Sequence, residues 1–133
     1  EVGYGAFWGE VQSAVHKGLG AAGVVTDGSI RDIDQWAPGL PVLAGSIMPS
    51  HAHVHLAGYG SEVRVAGMLV RSGDLVHADR HGAVTIPEAL AVKIPGACDL
   101  LVRKEAVILD MARAPGFDID KLKAALTRQD EIH

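Results

Sequence analysis

Gly23-Val24-Val25-Thr26-Asp27-Gly28-Ser29-Ile30-Arg31-Asp32 is the stretch on which the fold turns. Its first half, from Ala22 to Thr26, is short and nearly all apolar, the pattern of a strand buried on both faces. Asp27-Gly28 supplies a turn, and Asp27 or Ser29 is placed to cap a second short helix through Ile33 and Trp36. Pro38-Gly39 closes that helix, and Leu40 to Ala44 reads as another buried strand.

Upstream, Val11, Ala14, Val15 and Leu19 recur at helical spacing, so a helix is expected from Gly9 to about Leu19, ended by Gly18 and Gly20. The residues before it (Gly3, Tyr4, Gly5, Phe7, Trp8) read as a loop. Downstream, His53 to Leu56 is expected to be a third strand. Glu62 to Val65, Met68 to Val70, Leu75 to Ala78 and Ala83 to Ile86 alternate or run apolar between turn residues, the mark of a β meander. Pro87 opens a helix expected to reach Ile94, where Pro95-Gly96 breaks or kinks it. A long helix is expected over 97–114 and a short terminal one over 120–126. Alternation in front and hairpins behind predict a layered α/β sandwich with a mixed sheet rather than a purely parallel one.

The 133 residues fit one domain, 1–133, able to bury a core. With few aromatics, that core must rest on Val, Leu, Ile and Ala. A net charge of −4, with Lys and Arg never gathered into a basic run, argues against nucleic acid as a partner. No apolar stretch approaches the roughly 20 residues that cross a bilayer, and no signal peptide is evident. Cys98 is the lone cysteine, which excludes an internal disulfide and fits a cytoplasmic setting; it reads as a small core residue. The chain starts at Glu1 without an initiator Met.

Three charged residues stand where chemistry is expected. Glu10 falls at the first turn of the first helix, and Arg31-Asp32 lies just past a buried strand and its turn. Ligands of α/β sheets collect beyond the carboxyl ends of strands. A helix start offers free backbone N–H groups, here those of Val11 and Gln12, suited to a carboxylate. An Arg to grip an anion and a carboxylate to hold a hard cation complete a coherent site. The same pair also fits a plain surface ion pair or a helix cap.

Gly5-Ala6-Phe7-Trp8-Gly9-Glu10 followed by the 23–32 stretch resembles the RraA-like family, which includes 4-hydroxy-4-methyl-2-oxoglutarate/4-carboxy-4-hydroxy-2-oxoadipate aldolases. Enzymatic members carry an acidic residue, twenty intervening positions, then Arg-Asp. Glu10 and Arg31 keep that spacing, across positions 11 to 30. The segment from Gly67 to Asp79, His81-Gly82 and Ile86-Pro87 is also similar to the family.

The resemblance implies an α/β/β/α sandwich of the swivelling-domain type and a class II aldolase or oxaloacetate decarboxylase. Asp32 would bind Mg2+ or Mn2+ directly, Glu10 would hold metal-bound water, and Arg31 would contact a small 2-oxo acid. The amides of Val11 and Gln12 would take the substrate carboxylate, and the cation would act as Lewis acid. A homo-trimer, or a hexamer of two trimers, is implied, with an acidic residue such as Glu105 reaching a neighbouring site. Two departures stand out: Glu replaces the Asp of some aldolases at position 10, and a substantial N-terminal portion of relatives is missing here. Some relatives instead bind RNase E as protein regulators, so a non-enzymatic ribonuclease regulator is the alternative; a non-catalytic fragment is a third reading.

His51, His53 and His55 alternate, which on a strand puts them on one face, either as a metal site or as a polar face or subunit contact. In the family reading they line the pocket. His77, Asp79 and His81 form a second group, with Asp79 read as a turn anchor. Gly3 and Gly5 do not make a nucleotide loop, since no strand precedes them and the phosphate-binding Lys is missing.

Overall fold

The computed structural model describes residues 4–133. Of the residues read above as an N-terminal loop, Gly3 lies outside this range. The chain forms two compact units, Glu1–Pro87 and Glu88–His133.

The first unit carries a parallel sheet in the order β1 (Ala6–Trp8), β3 (Ser29–Ile30), β5 (Ser46–Ile47). A separate parallel pair joins β2 (Val24–Val25) to β4 (Val42–Leu43), with Val24 opposite Val42 and Val25 opposite Leu43. β1 departs from the expected loop. Its other edge is taken by the segment after β5: Ala6 N–H donates to the Ser50 carbonyl at 2.7 Å, and Ala52 N–H donates to that of Ala6 at 3.0 Å. The two backbones lie so close at Gly5 that a Cβ there would stand 2.9 Å from the Ala52 Cα. Three residues with two glycines nearby give too short an apolar run for periodicity to register.

Helix α1 (Glu10–Gly18) forms where expected, and the face it buries is the one that carries Ser13. Val11, Val15 and Leu19 are exposed, Leu19 at 80%, whereas Ser13 is fully buried. The reason is a polar anchor. Ser13 Oγ donates to the Glu10 carbonyl at 2.8 Å and accepts from the Ala37 amide at 3.0 Å, which turns the serine face inward. Trp8 packs beside His16 and Trp36, with ring centroids 4.6 and 6.3 Å apart. Val24, Ala37 and Leu40 form the core beneath them, joined by Ala21 and Val42.

Ser29 does not cap a helix. It sits in β3, 2% exposed, with its hydroxyl 2.7 Å from that of Ser46 on β5. The expected second helix shrinks to a single 3-10 turn over Ile33–Gln35, entered through Asp32. Likewise only His51 bridges to β1; residues 52–57 run without a strand, so His53 and His55 do not share a sheet face.

The hairpins form as expected. β6 (Val63–Val65) pairs with β7 (Met68–Val70) across Ala66-Gly67, whose φ values of 47° and 88° are those a two-residue type I′ turn requires. Ala66 N–H donates to Asp27 Oδ2 at 3.1 Å, tying this turn to the one after β2. β8 (Leu75–Asp79) pairs with β9 (Gly82–Ile86).

The second unit is helical: α2 (Glu88–Ala91), α3 (Ile94–Arg113) and α4 (Ile119–Asp130). Pro95 does not break a helix but begins one, because the first turn of α3 needs no amide hydrogen from it. α3 and α4 pack together and α4 buries Ala125; Asp118 caps α4 by accepting from the Lys121 amide at 2.8 Å. Cys98 is exposed on α3 rather than part of a core. No helix among the described residues is long and apolar enough to cross a membrane.

Candidate functional site

The twenty-residue spacing between Glu10 and Arg31 closes so that the Glu10 amide meets Asp32, the neighbour of Arg31. β1 delivers the chain to Gly9, the residue before α1, and β3, paired beside β1, delivers it to Arg31. Arg31 N–H continues the pairing by donating to the Trp8 carbonyl at 2.9 Å. Its side chain, 19% exposed, then folds back: Nη1 donates to the Ala6 carbonyl at 2.8 Å and to that of Phe7 at 3.3 Å, while Nε lies 3.3 Å from Asp32 Oδ2.

Asp32 turns sharply, with φ 53° and ψ 47° in the left-handed region that disfavours most side chains but suits Asp and Asn. This turn stops β3 and swings the carboxylate to the start of α1, where Oδ2 accepts from the Glu10 amide at 3.3 Å. That Asp32 carboxylate therefore serves α1 from a distance, since Gly9 offers no side-chain cap. Among the described residues, Oδ1 makes no hydrogen bond.

The first helical bond of α1 runs from Ser13 N–H to the Gly9 carbonyl, which leaves the amides of Glu10, Val11 and Gln12 directed out of the helix start. Glu10 spends its amide on Asp32; those of Val11 and Gln12 remain. The structure thus brings together Glu10, Val11, Gln12, Arg31 and Asp32. The Glu10 side chain is exposed and stands in no ion pair among the described residues.

Gly9 escaped the sequence reading. Its φ of −158° is open to any residue, so conformation is not the constraint. Space is: a Cβ there would lie 2.5 Å from Asp32 Oδ2 and 3.1 Å from Arg31 Cγ. Its place directly before the acidic residue was the available signal.

No group of three or more His, Cys, Asp or Glu side chains among the described residues is gathered as a metal cage. A hard cation that keeps most of its water needs only one or two carboxylates, so Asp32 with Glu10 fits Mg2+ or Mn2+ and does not fit a fully protein-ligated Zn2+. His51, His53 and His55 fail as a cage; His51 Nδ1 lies 2.6 Å from the Ala52 carbonyl oxygen, and His53 and His55 line a groove of about 580 Å3 with Phe7, Trp8 and Asp27. Asp79 is the turn anchor expected: Oδ1 accepts from the His81 amide at 2.7 Å and Oδ2 lies 3.2 Å from His81 Nδ1. Those bonds, and the nearby His77, hold its carboxyl below the ordinary value of 3.8.

The model of the RraA-like family, described as Aldolase/RraA, matches residues 2–85. The chain belongs to the RraA-like family. The match falls within the first compact unit, and the Glu10/Arg31/Asp32 constellation lies wholly inside the RraA-like portion. An uncharacterized protein of Methanocaldococcus jannaschii is 35% identical over 83 residues, 61% of this chain and 40% of that protein. The RraA-like chain therefore spans less than half the length of this relative. A solved structure described as belonging to novel cellulases from microbes associated with the gut ecosystem matches with a TM-score of 0.63 at 23% identity, covering 76% of this chain and 47% of that one. That likeness supports a mixed α/β fold and carries no activity across.

Proposed function

We propose that this RraA-like protein is a divalent-metal-dependent carbon–carbon lyase that releases pyruvate from a small 2-oxo acid, as an aldolase of the 4-hydroxy-4-methyl-2-oxoglutarate type or an oxaloacetate decarboxylase. The observation that carries the reading is the left-handed Asp32, which sets a carboxylate oxygen beside Arg31 at the open start of α1. A plain ion pair would not need a disfavoured backbone conformation to form, and residual strain of this kind gathers at functional sites.

In this reading Asp32 would hold Mg2+ or Mn2+ and Glu10 would hold water bound to it. The cation would supply Lewis-acid polarisation of the keto carbonyl. Arg31, immobilised by two carbonyls and Asp32, presents fixed positive charge to the oxygen on which charge builds as the C–C bond breaks. The Val11 and Gln12 amides orient the substrate carboxylate at the positive end of α1. No lysine lies in the constellation, so a Schiff base is not invoked. The family's layered α/β/β/α sandwich and a trimer or hexamer belong to the same proposal.

The alternative, a ribonuclease-binding regulator, is favoured by one feature: the exposed Val11, Val15 and Leu19 along α1 offer an apolar surface to a partner. Pyruvate release from oxaloacetate or 4-hydroxy-4-methyl-2-oxoglutarate, measured with a coupled dehydrogenase, distinguishes the two. Turnover that needs Mg2+, stops with EDTA and is lost in Asp32→Asn supports the lyase. Tight ribonuclease capture without turnover reverses the choice.

A further inference from the structure

The groove lined by Gly5, Phe7, Trp8, the Thr26–Ser29 turn and Ala52–Leu56 is not used by the constellation described above. The Phe7 carbonyl accepts from Arg31 Nη1 and the Trp8 carbonyl from Arg31 N–H, so the groove and the guanidinium share one strand. Ser29, two residues before Arg31, lines the same wall.

Most polar side chains of this groove are already engaged. Ser29 Oγ is paired with Ser46 Oγ at 2.7 Å, Thr26 Oγ1 accepts from the Gly28 amide at 3.0 Å, and Asp27 Oδ2 holds the Ala66 amide. Among the described residues, the imidazoles of His53 and His55 make no hydrogen bond to protein, and both are exposed on the groove wall. Between and beside them, Ala52, Val54 and Leu56 with Phe7 supply apolar surface.

We propose that this groove receives the end of the substrate remote from its 2-oxo acid group, with His53 and His55 as specificity-determining residues that donate to a second carboxylate. The inference rests on the 2-oxo-acid reading of Arg31 and Asp32. An imidazole N–H donates to a carboxylate without needing full charge. Asp27, the anion on the opposite turn, repels such a group and confines it to the histidine wall. A bare monocarboxylate leaves the groove empty and gains nothing from it.

Calorimetric titration in Mg2+ tests the assignment without turnover, using pyruvate, 2-oxoglutarate and phenylpyruvate as probes. 2-Oxoglutarate should bind the wild-type protein about tenfold more tightly than pyruvate, the gain of one charge-assisted hydrogen bond. In the double variant His53→Ala/His55→Ala that advantage should vanish while pyruvate affinity holds, since both side chains are exposed and, among the described residues, make no hydrogen bond to protein. An advantage that survives in the double variant, or an equal one for phenylpyruvate, overturns the histidine assignment and leaves the 2-oxo-acid reading intact. Failure of every probe to bind in a manner sensitive to Arg31→Gln removes that reading, and this inference with it.

Discussion

The Glu10 amide donates to Oδ2 of Asp32 at 3.3 Å, joining the start of a helix to the end of a strand across 22 positions of sequence. The carboxylate thus caps α1 from outside and is fixed before any ligand arrives. Its second oxygen stays available. This division of labour makes Asp32 testable by two substitutions rather than one.

Asp32→Asn keeps an acceptor for the Glu10 amide and tolerates the left-handed backbone, so the melting temperature should stay close to wild type while metal-dependent turnover falls to background. Asp32→Ala should lose turnover equally and, in addition, about 1–2 kcal/mol of stability from the left-handed conformation and the missing cap. Calorimetry alongside a pyruvate-release assay reads both. An Asn variant that turns over normally would remove Asp32 from the metal.

Gly9→Ala separates site from scaffold in another way. The backbone there accepts any residue, and the obstructing atom is the tip of a side chain, so the global fold should stand with little change in denaturant midpoint. The carboxylate must nevertheless move away from a methyl group built 2.5 Å from it. A displacement of that order is expected to cost up to about a hundredfold in kcat/KM.

Gly45→Ala should do the reverse. A Cβ at position 45 would stand 2.1 Å from the Asp27 carbonyl oxygen and 2.8 Å from its carbon, both main-chain atoms. These cannot step aside without dislodging the turn that leads into Arg31. A loss of roughly 3 kcal/mol or more is expected in urea unfolding, or failure to accumulate folded protein.

Arg31→Lys keeps the charge but not the geometry. One ammonium cannot replace a guanidinium that serves two carbonyls through Nη1 and a carboxylate through Nε. Turnover should fall by about a hundredfold or more. Substrate affinity in titration should weaken with it, and unchanged values for both would show that the guanidinium is only structural.

Asp79 gives a pH signature remote from the site. Its carboxyl is depressed by the His81 amide and ring, so the turn gains stability that is present above the ordinary value of 3.8 and lost as pH falls through the lower folded value. The protection of the His81 amide, its exchange rate relative to that of an unstructured peptide at the same pH, should therefore fall below about pH 4 in the wild-type protein. Asp79→Asn, which still accepts the amide, should flatten that dependence.

The sequence made much of this legible, and the failures share a cause. The β6–β7 and β8–β9 hairpins were readable because their turns carry their own chemistry. The closeness of the Glu10 amide to Asp32 accords with the family spacing of Glu10 and Arg31-Asp32. Strand β1 and the two-residue β3 were not readable, since a run that short has no period. The buried face of α1 was not legible, because it is marked by one hydroxyl, Ser13, which holds the Ala37 amide. That partner is 24 positions away, beyond the reach of helical periodicity. Arg31 also looked like half of an ion pair; its principal partners are carbonyls that no residue type reveals.

Those carbonyls have an evolutionary corollary. Every amino acid possesses one, so the grip of Ala6 and Phe7 on the guanidinium is indifferent to what side chains occupy those positions, provided the strand keeps its path. Position 7 is thereby free to diversify, Phe7 for shaping the nearby groove, while Ala6, fully buried, is held by packing and the arginine stays aimed. New substrate preferences can arise beside this arginine without its anchorage being rebuilt.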